Sequence, residues 1–278
     1  MKNDYKLICL DLDGTFLTSK HKLNQKTLSY VRKLIQNGIN VSITTGRANF
    51  DARHHAVQMG ESVYYASSNG ASFGRTDQDH LIYEEGLSEI AIDKINATSK
   101  KLDMKPVFYT RDMILVNGLR SFMIHYMFYF FGERSLLKYL KFFKSNKKQT
   151  EYYRMNDYKV QKVLVFSRKT EELEAYKKEL GDTDFDLAVT TGLCLEITPK
   201  GVNKAKGVKA LARELNITKD EVIAFGDSEN DIEMLKYVGC GVAMGNADQK
   251  VKEIADFVTD SNDDDGIYNK LHTIYGDL

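Results

Sequence analysis

The chain has 278 residues, 42% hydrophobic and 28% charged, the balance of a soluble globular protein with room for one large domain or for a domain carrying a second. Lysine plus arginine equals aspartate plus glutamate at 39 each, which argues against a general nucleic-acid binder with its basic excess. Three cysteines, Cys9, Cys194 and Cys240, show no pairing rhythm and no Cys/His cluster for zinc, as expected of reduced thiols in a cytoplasmic protein. The most apolar later stretch, residues 122–131, contains His125 and is too short to cross a bilayer; no signal peptide is expected and no membrane partner.

Residues 5–12 form a largely apolar run, the pattern of a parallel strand covered on both faces. Leu28, Val31, Leu34 and Ile35 mark one helical face, with Asn24 as N-cap and Gly38 as stop. Residues 40–45 and 63–67 are the next strands, giving β-α-β-α-β and an open parallel sheet. Between 87 and 191 that rhythm is lost: a helix, short strands at 107–109 and 113–116, the aromatic stretch 122–131, a strand at 160–166, a charged helix at 171–180 and a strand at 186–189. The parallel style returns with the helical face Val208, Leu211, Ala212 and Leu215, a strand at 222–227, a helix through Ile232 and Leu235, and strands at 240–244 and 256–259. The reading is α/β: a doubly wound, Rossmann-like parallel sheet from residues 1–86 and 192–278, interrupted by an α+β cap domain at 87–191. The aromatic stretch is expected in the cap core, with a substrate wall or a dimer surface as the sharper alternative.

Four segments carry chemistry: Asp11-Leu-Asp-Gly-Thr15, Thr44-Thr-Gly-Arg47, Lys204 after Asn203, and Gly226-Asp-Ser-Glu-Asn-Asp231. Three follow predicted strands and one opens a helix. Ligands of doubly wound sheets bind outside the carboxyl ends of the strands, so the four are expected in one crevice. Asp11 and Asp13, two apart at a strand end, are expected on one side. Two carboxylates about 4 Å apart repel by roughly 4 kcal/mol at an effective dielectric near 20, and Asp227 adds to this. Such a set calls for a cation, and hard oxygen donors suit Mg²⁺. Thr45 offers a hydroxyl to a phosphoryl oxygen, and Lys204 brings an ammonium to a helix N-terminus, where anions are favoured. Taken singly, each has a plainer reading: an Asp-Gly turn, a surface lysine, the acidic first turn of a helix.

Together the DLDGT, TTGR, NG, KGVNK and GDSENDIEML strings resemble the motifs of the haloacid dehalogenase-like (HAD) superfamily, in its Cof-type phosphatase subfamily, over nearly all of the core. For the inserted segment the likeness extends only to placement and size. The resemblance implies a Mg²⁺-dependent phosphatase that hydrolyses small phosphorylated metabolites, sugar phosphates or similar, through an aspartyl-phosphate. In it Asp11 is the nucleophile and Asp13 the general acid and base. Mg²⁺ is held by the Asp11 carboxylate, the Asp13 carbonyl and Asp227, with Asp231 in support. Thr45 and Lys204 bind the phosphoryl oxygens with Asn230, Asn69 faces the substrate, and the backbone of Leu12 and Gly46 adds further phosphate contacts. Asp13 favours a hydrolase over a dehalogenase or an ion pump; a phosphomutase, or a regulatory protein without turnover, is the alternative. The acidic run 260–266 departs from a calcium loop, because its Gly falls one place late and its twelfth position is Leu271.

Overall fold

The computed structural model describes residues 5–181, 184–190 and 193–278. In chain order its strands are β1 (Leu7–Leu10), β2 (Asn40–Thr44), β3 (Tyr64–Ser67), β4 (Ser72–Arg75), β5 (Leu81–Glu84), β6 (Pro106–Thr110), β7 (Ile114–Asn117), β8 (Leu140–Phe143), β9 (Val160–Phe166), β10 (Phe185–Thr190), β11 (Cys194–Pro199), β12 (Val222–Gly226), β13 (Cys240–Ala243) and β14 (Phe257–Val258). Its helices are α1 (Gln25–Gln36), α2 (Asn49–Met59), α3 (Glu89–Lys101), α4 (Leu119–Phe131), α5 (Asn146–Met155), α6 (Thr170–Leu180), α7 (Lys204–Glu214), α8 (Ile232–Tyr237), α9 (Gln249–Ile254) and α10 (Gly266–Tyr275). The chain divides into two compact units. One holds the residues up to Arg47, Asp51–Tyr83 and Asn203–Leu278; the other holds Ala48–Phe50 and Glu84–Val202.

The first unit is built on an eight-stranded sheet ordered β14-β13-β12-β1-β2-β3-β4-β5. Its centre is parallel: Leu7 of β1 stands level with Val222 of β12 on one side and Asn40 of β2 on the other. Every residue of β1 is buried, so the strand reads as a continuous apolar run rather than an alternation. The Asn24 carboxamide caps α1, accepting from the N–H groups of Lys26 and Thr27 at 3.0 and 3.2 Å, an arrangement worth about 1 kcal/mol. Leu28, Val31 and Leu34 are buried beneath α1, as the periodicity required. The sheet has an antiparallel edge that the sequence reading missed. Ser68, Asn69 and Gly70 all take positive φ and reverse the chain, so β4 pairs antiparallel with β3, Ser67 opposite Ser72. Two consecutive non-glycine residues in the left-handed region give no sequence signal comparable to an Asn-Gly hairpin turn.

The second unit has a six-stranded sheet, β10-β11-β9-β6-β7-β8, antiparallel except for the β7–β8 pair. Successive residues of β6 feed opposite cores. Phe108 packs with Ile92 and Ile95 of α3, Tyr153 of α5 and Tyr176 of α6. Val107 and Tyr109 pack with Tyr129 of α4 and Leu136. The division between the units falls after Val202, not at 191/192 as the sequence reading had it: β11 is an inner strand of this second sheet, bonded to β9 and β10. The stretch 122–131 is also only partly core. It lies in α4, where Ser121, His125 and Tyr129 are buried while Met123, Met127, Phe128 and Phe131 are exposed. Among the described residues no helix is long and apolar enough to cross a membrane. Cys9, Cys194 and Cys240 are buried thiols.

Candidate active site

The register of β12, β1 and β2 brings Leu10, Phe225 and Ile43 side by side, so the segments after them emerge together at the carboxyl edge. The Asp11 N–H still donates to the Phe225 carbonyl at 3.1 Å, but β1 itself ends at Leu10, short of the expected 12. The chain then makes a tight turn through Leu12–Phe16, in which Asp13 is extended (φ −75°, ψ 121°) and Gly14 left-handed (φ 76°). A Cβ on Gly14 would run into the Asp227 carboxylate, so only glycine allows this approach. The strand-parity argument for Asp11 and Asp13 therefore fails: Asp11 is buried, whereas the Asp13 side chain is half-exposed and points to a different partner.

Asp11, Asp227 and Asp231 converge, with carboxylate oxygens all within 4.8 Å of one another. Lys204 Nζ lies 2.6 Å from Asp11 Oδ1 and 2.6 Å from Asp231 Oδ1, in full burial. Asp231 Oδ2 accepts the N–H groups of Asp227 and Ser228 at 3.1 Å each, so this residue ties the lysine to the loop after β12. Thr15 Oγ1 donates to Asp227 Oδ1 at 2.8 Å, and Ser228 Oγ to its Oδ2 at 3.0 Å. Burial raises the Asp11 carboxyl well above its ordinary range, with Lys204 opposing and Asp231 adding to the rise. Burial likewise raises Asp227, against the Thr15 hydrogen bond. For Lys204 burial acts downward, but Asp11 and Asp231 outweigh it and hold the ammonium protonated. Three carboxylates facing one ammonium leave excess negative charge on oxygen donors alone, a set that fits a hard divalent cation.

Lys204 reaches this point because α7 starts there. Asn203 Oδ1 caps it, accepting from Lys206 N–H at 2.9 Å. The helix start lies against the turn 68–70: a Cβ on Gly70 would stand 2.5 Å from the Asn203 carbonyl, and one on Gly207 2.9 Å from Gly70 Cα. The same turn gathers the polar residues. The Asn69 N–H donates to the Thr45 carbonyl at 3.0 Å, and Asn230 Nδ2 to Asn69 Oδ1 at 3.2 Å. Gly46 lies beneath that carboxamide, 3.0 Å from its oxygen to an ideal Cβ. The Thr45 hydroxyl accepts the Arg47 N–H at 3.2 Å, which leaves its own proton to donate. Leu12 is buried, and its carbonyl accepts from Leu17 N–H at 2.8 Å. Two groups are thus assembled, Asp11, Asp227, Asp231 and Lys204 in one, Thr45, Gly46, Asn69 and Asn230 in the other.

Asp13 faces a residue that the sequence reading quoted but gave no role. Arg47 Nε donates to Asp13 Oδ2 at 2.8 Å and Nη2 to Oδ1 at 2.5 Å. Arg47 Nη1 is held by the buried Asp51 at 3.2 Å and lies 3.2 Å from His55 Nε2. Burial would raise the Asp13 carboxyl; the Arg47 guanidinium outweighs it and keeps the group below the usual carboxylate range. The spacing 47, 51, 55 signals only that Arg47, just before α2, meets Asp51 and His55 one and two turns on; nothing in it points to Asp13.

A model of the haloacid dehalogenase-like hydrolase family matches residues 8–271. The chain belongs to the haloacid dehalogenase-like hydrolases. Phosphatase YwpJ of Bacillus subtilis (strain 168) is 31% identical over 281 residues, covering 96% of this chain and 98% of that protein. A haloacid dehalogenase-like hydrolase structure from Bacteroides thetaiotaomicron matches with a TM-score of 0.83 and 26% identity, over 98% of this chain and 100% of its own. The structure of the HAD subclass IIB sugar phosphatase BT4131 matches with a TM-score of 0.77 and 25% identity, over 98% and 99%. This haloacid dehalogenase-like hydrolase is a phosphatase, and both the motif resemblance and the doubly wound α/β fold are borne out.

Proposed function

We propose that this phosphatase hydrolyses small phosphorylated metabolites, sugar phosphates or similar, with Mg²⁺ and through an aspartyl-phosphate on Asp11. The observation that carries the reading is the buried Lys204, paired at 2.6 Å with both Asp11 and Asp231 inside a three-carboxylate cluster. Such an ammonium positions the nucleophile and is aimed where phosphoryl charge gathers. Asp11, Asp227 and Asp231, with the Asp13 carbonyl, would hold the cation, which neutralises phosphoryl charge when bound.

Asp11 attacks phosphorus, forming the Asp–O–P bond as the ester O–P bond breaks, and Asp13 gives its proton to the leaving alkoxide. Water then attacks the phosphorus with Asp13 taking its proton, and Asp11 and inorganic phosphate are released. Thr45, Asn230 and Lys204 hold the phosphoryl oxygens, the backbone at Leu12 and Gly46 adds N–H donors, and Asn69 orients Asn230 and the substrate. Arg47 keeps Asp13 ionised in the resting site; a bound phosphoryl dianion competes for that guanidinium and lets Asp13 take up its proton.

Acid–base help supplies only about 10²–10⁴ of a rate enhancement that reaches ~10²¹ for phosphate monoesters, so positioning and charge carry most of it. Choice among phosphate esters is assigned to the inserted unit, from its place in the chain between the second and third site segments. The sugar phosphatase named among the similar structures supports the substrate class. The test is a panel of phosphorylated metabolites assayed for phosphate release with and without chelator, plus acid-quench trapping of labelled protein. Label absent from Asp11 under turnover sinks the intermediate; turnover in chelator with no bound metal sinks the cofactor.

A further inference from the structure

From Ser121 to Gly132 the chain contains no Asp, Glu, Lys or Arg. A helix packed on one side ordinarily turns a polar side outward. α4 does the reverse: Leu119, Met123, Ile124, Met127, Phe128 and Phe131 are 39–74% exposed. Phe142 of β8, edge-on to Phe122 at 5.5 Å, widens the patch. With large side chains of roughly 200 Å², the patch exposes on the order of 700 Å² of apolar surface. The largest patch on a typical monomer is about 300–600 Å², and one side of a stable interface about 800 Å². The face is therefore above the usual range for a monomer and close to what one half of a dimer needs.

We propose that this face of α4 is the contact between two copies of the chain, packed antiparallel about a two-fold axis. A two-fold contact requires a surface complementary to itself. The stripe has that property: 119 and 131 lie equally far from 125, as do 123 and 127. Leu119 then meets Phe131 of the partner subunit, and Met123 meets Met127 of the partner subunit. At the ends, Arg120 in the first turn comes level with position 130 of the partner subunit, three residues from Glu133 of the partner subunit, which follows the helix there, so the antiparallel arrangement brings each arginine toward the end that carries a glutamate. It also opposes the two helix dipoles, whereas a parallel pair would align like charges.

The experiment is sedimentation equilibrium of the full chain over micromolar concentrations, with circular dichroism to verify folding. Wild type is expected as a dimer, and Met127→Glu as a folded monomer whose dissociation constant has risen at least tenfold. Arg120→Glu is expected to weaken the dimer several-fold, and Arg120→Glu combined with Glu133→Arg to restore it. A wild type that stays monomeric overturns the proposal, as does a dimer indifferent to Met127→Glu. Failure of the charge swap to restore the dimer overturns the antiparallel geometry.

Discussion

Arg47 meets Asp13 fork to fork, with parallel bonds of 2.8 and 2.5 Å, while Asp51 anchors the guanidinium from behind at 3.2 Å. Paired charge-assisted bonds of this kind fix an orientation as well as a charge state. Asp13 is consequently held in the form that suits the proposed second step, activation of water, and must change partner for the first.

Replacing Arg47 by alanine removes the largest influence that lowers Asp13 and leaves burial, which raises it, opposed only by the smaller pull of His21 and His55. The carboxyl carbon of Asp13, followed by ¹³C NMR in metal-free protein, is expected to titrate below the ordinary carboxylate range in wild type and at higher pH in the variant. An unmoved midpoint removes Arg47 from the account. Arg47→Lys keeps the charge but loses the fork, and kcat/KM is expected to fall about 10–100-fold, which is about 1.4–2.8 kcal/mol.

Asp11→Asn is isosteric, and Lys204 keeps its 2.6 Å contact to Asp231. Turnover is expected to drop at least about a thousandfold with a melting temperature near that of wild type. Lys204→Ala is the opposite case. It leaves buried carboxylates without their counter-charge, and urea denaturation is expected to report a loss of about 3–5 kcal/mol. A Lys204→Ala protein as stable as wild type would mean that the pair contributes nothing to holding the fold.

Three of the four site segments were legible because each is written as a short run after a strand, and parallel register alone carries Leu10, Ile43 and Phe225 to one edge. Burial was not legible. The sequence places Asp11 at a strand end and Lys204 at a helix start without saying that either is buried, yet both are, because Gly14, Gly70 and Gly207 permit backbone approaches that residue types announce only in three dimensions. The Arg47–Asp13 pair escaped notice because its partners come from different segments. The inserted unit was the least legible. β11 completes a sheet whose other strands lie up to ninety residues earlier, so pairing rather than pattern decides where it belongs.

The acidic cluster makes a prediction that needs no turnover. A cation that binds only the folded cluster stabilises it by about 2.7 kcal/mol at a hundredfold excess over its dissociation constant. Mg²⁺ is therefore expected to raise the melting temperature of wild type, and Asp227→Asn to abolish the rise while Thr15 still engages the side chain. An equal rise in both proteins would place the cation elsewhere.

His125 gives the second unit a pH-dependent stability. The ring is buried on α4, with Nδ1 2.7 Å from the Ser121 carbonyl and Nε2 2.7 Å from the Tyr109 hydroxyl. Those partners assign the proton to Nδ1, leaving Nε2 to accept from the tyrosine. Burial lowers the imidazole from its ordinary 6.5 to about 4, the Ser121 carbonyl opposing and the Lys162 ammonium adding to the fall. Between those values the unfolded chain binds a proton that the folded chain does not, so stability is complete above about pH 6.5 and is lost as the pH falls toward 4. Linkage through this one group amounts to about 2 kcal/mol at pH 5. Chemical denaturation at pH 7 and pH 5 is expected to show that loss in wild type and a smaller one in His125→Gln, whose side chain cannot take up a proton in either state. Equal losses in the two proteins would show that the acid sensitivity arises from other groups.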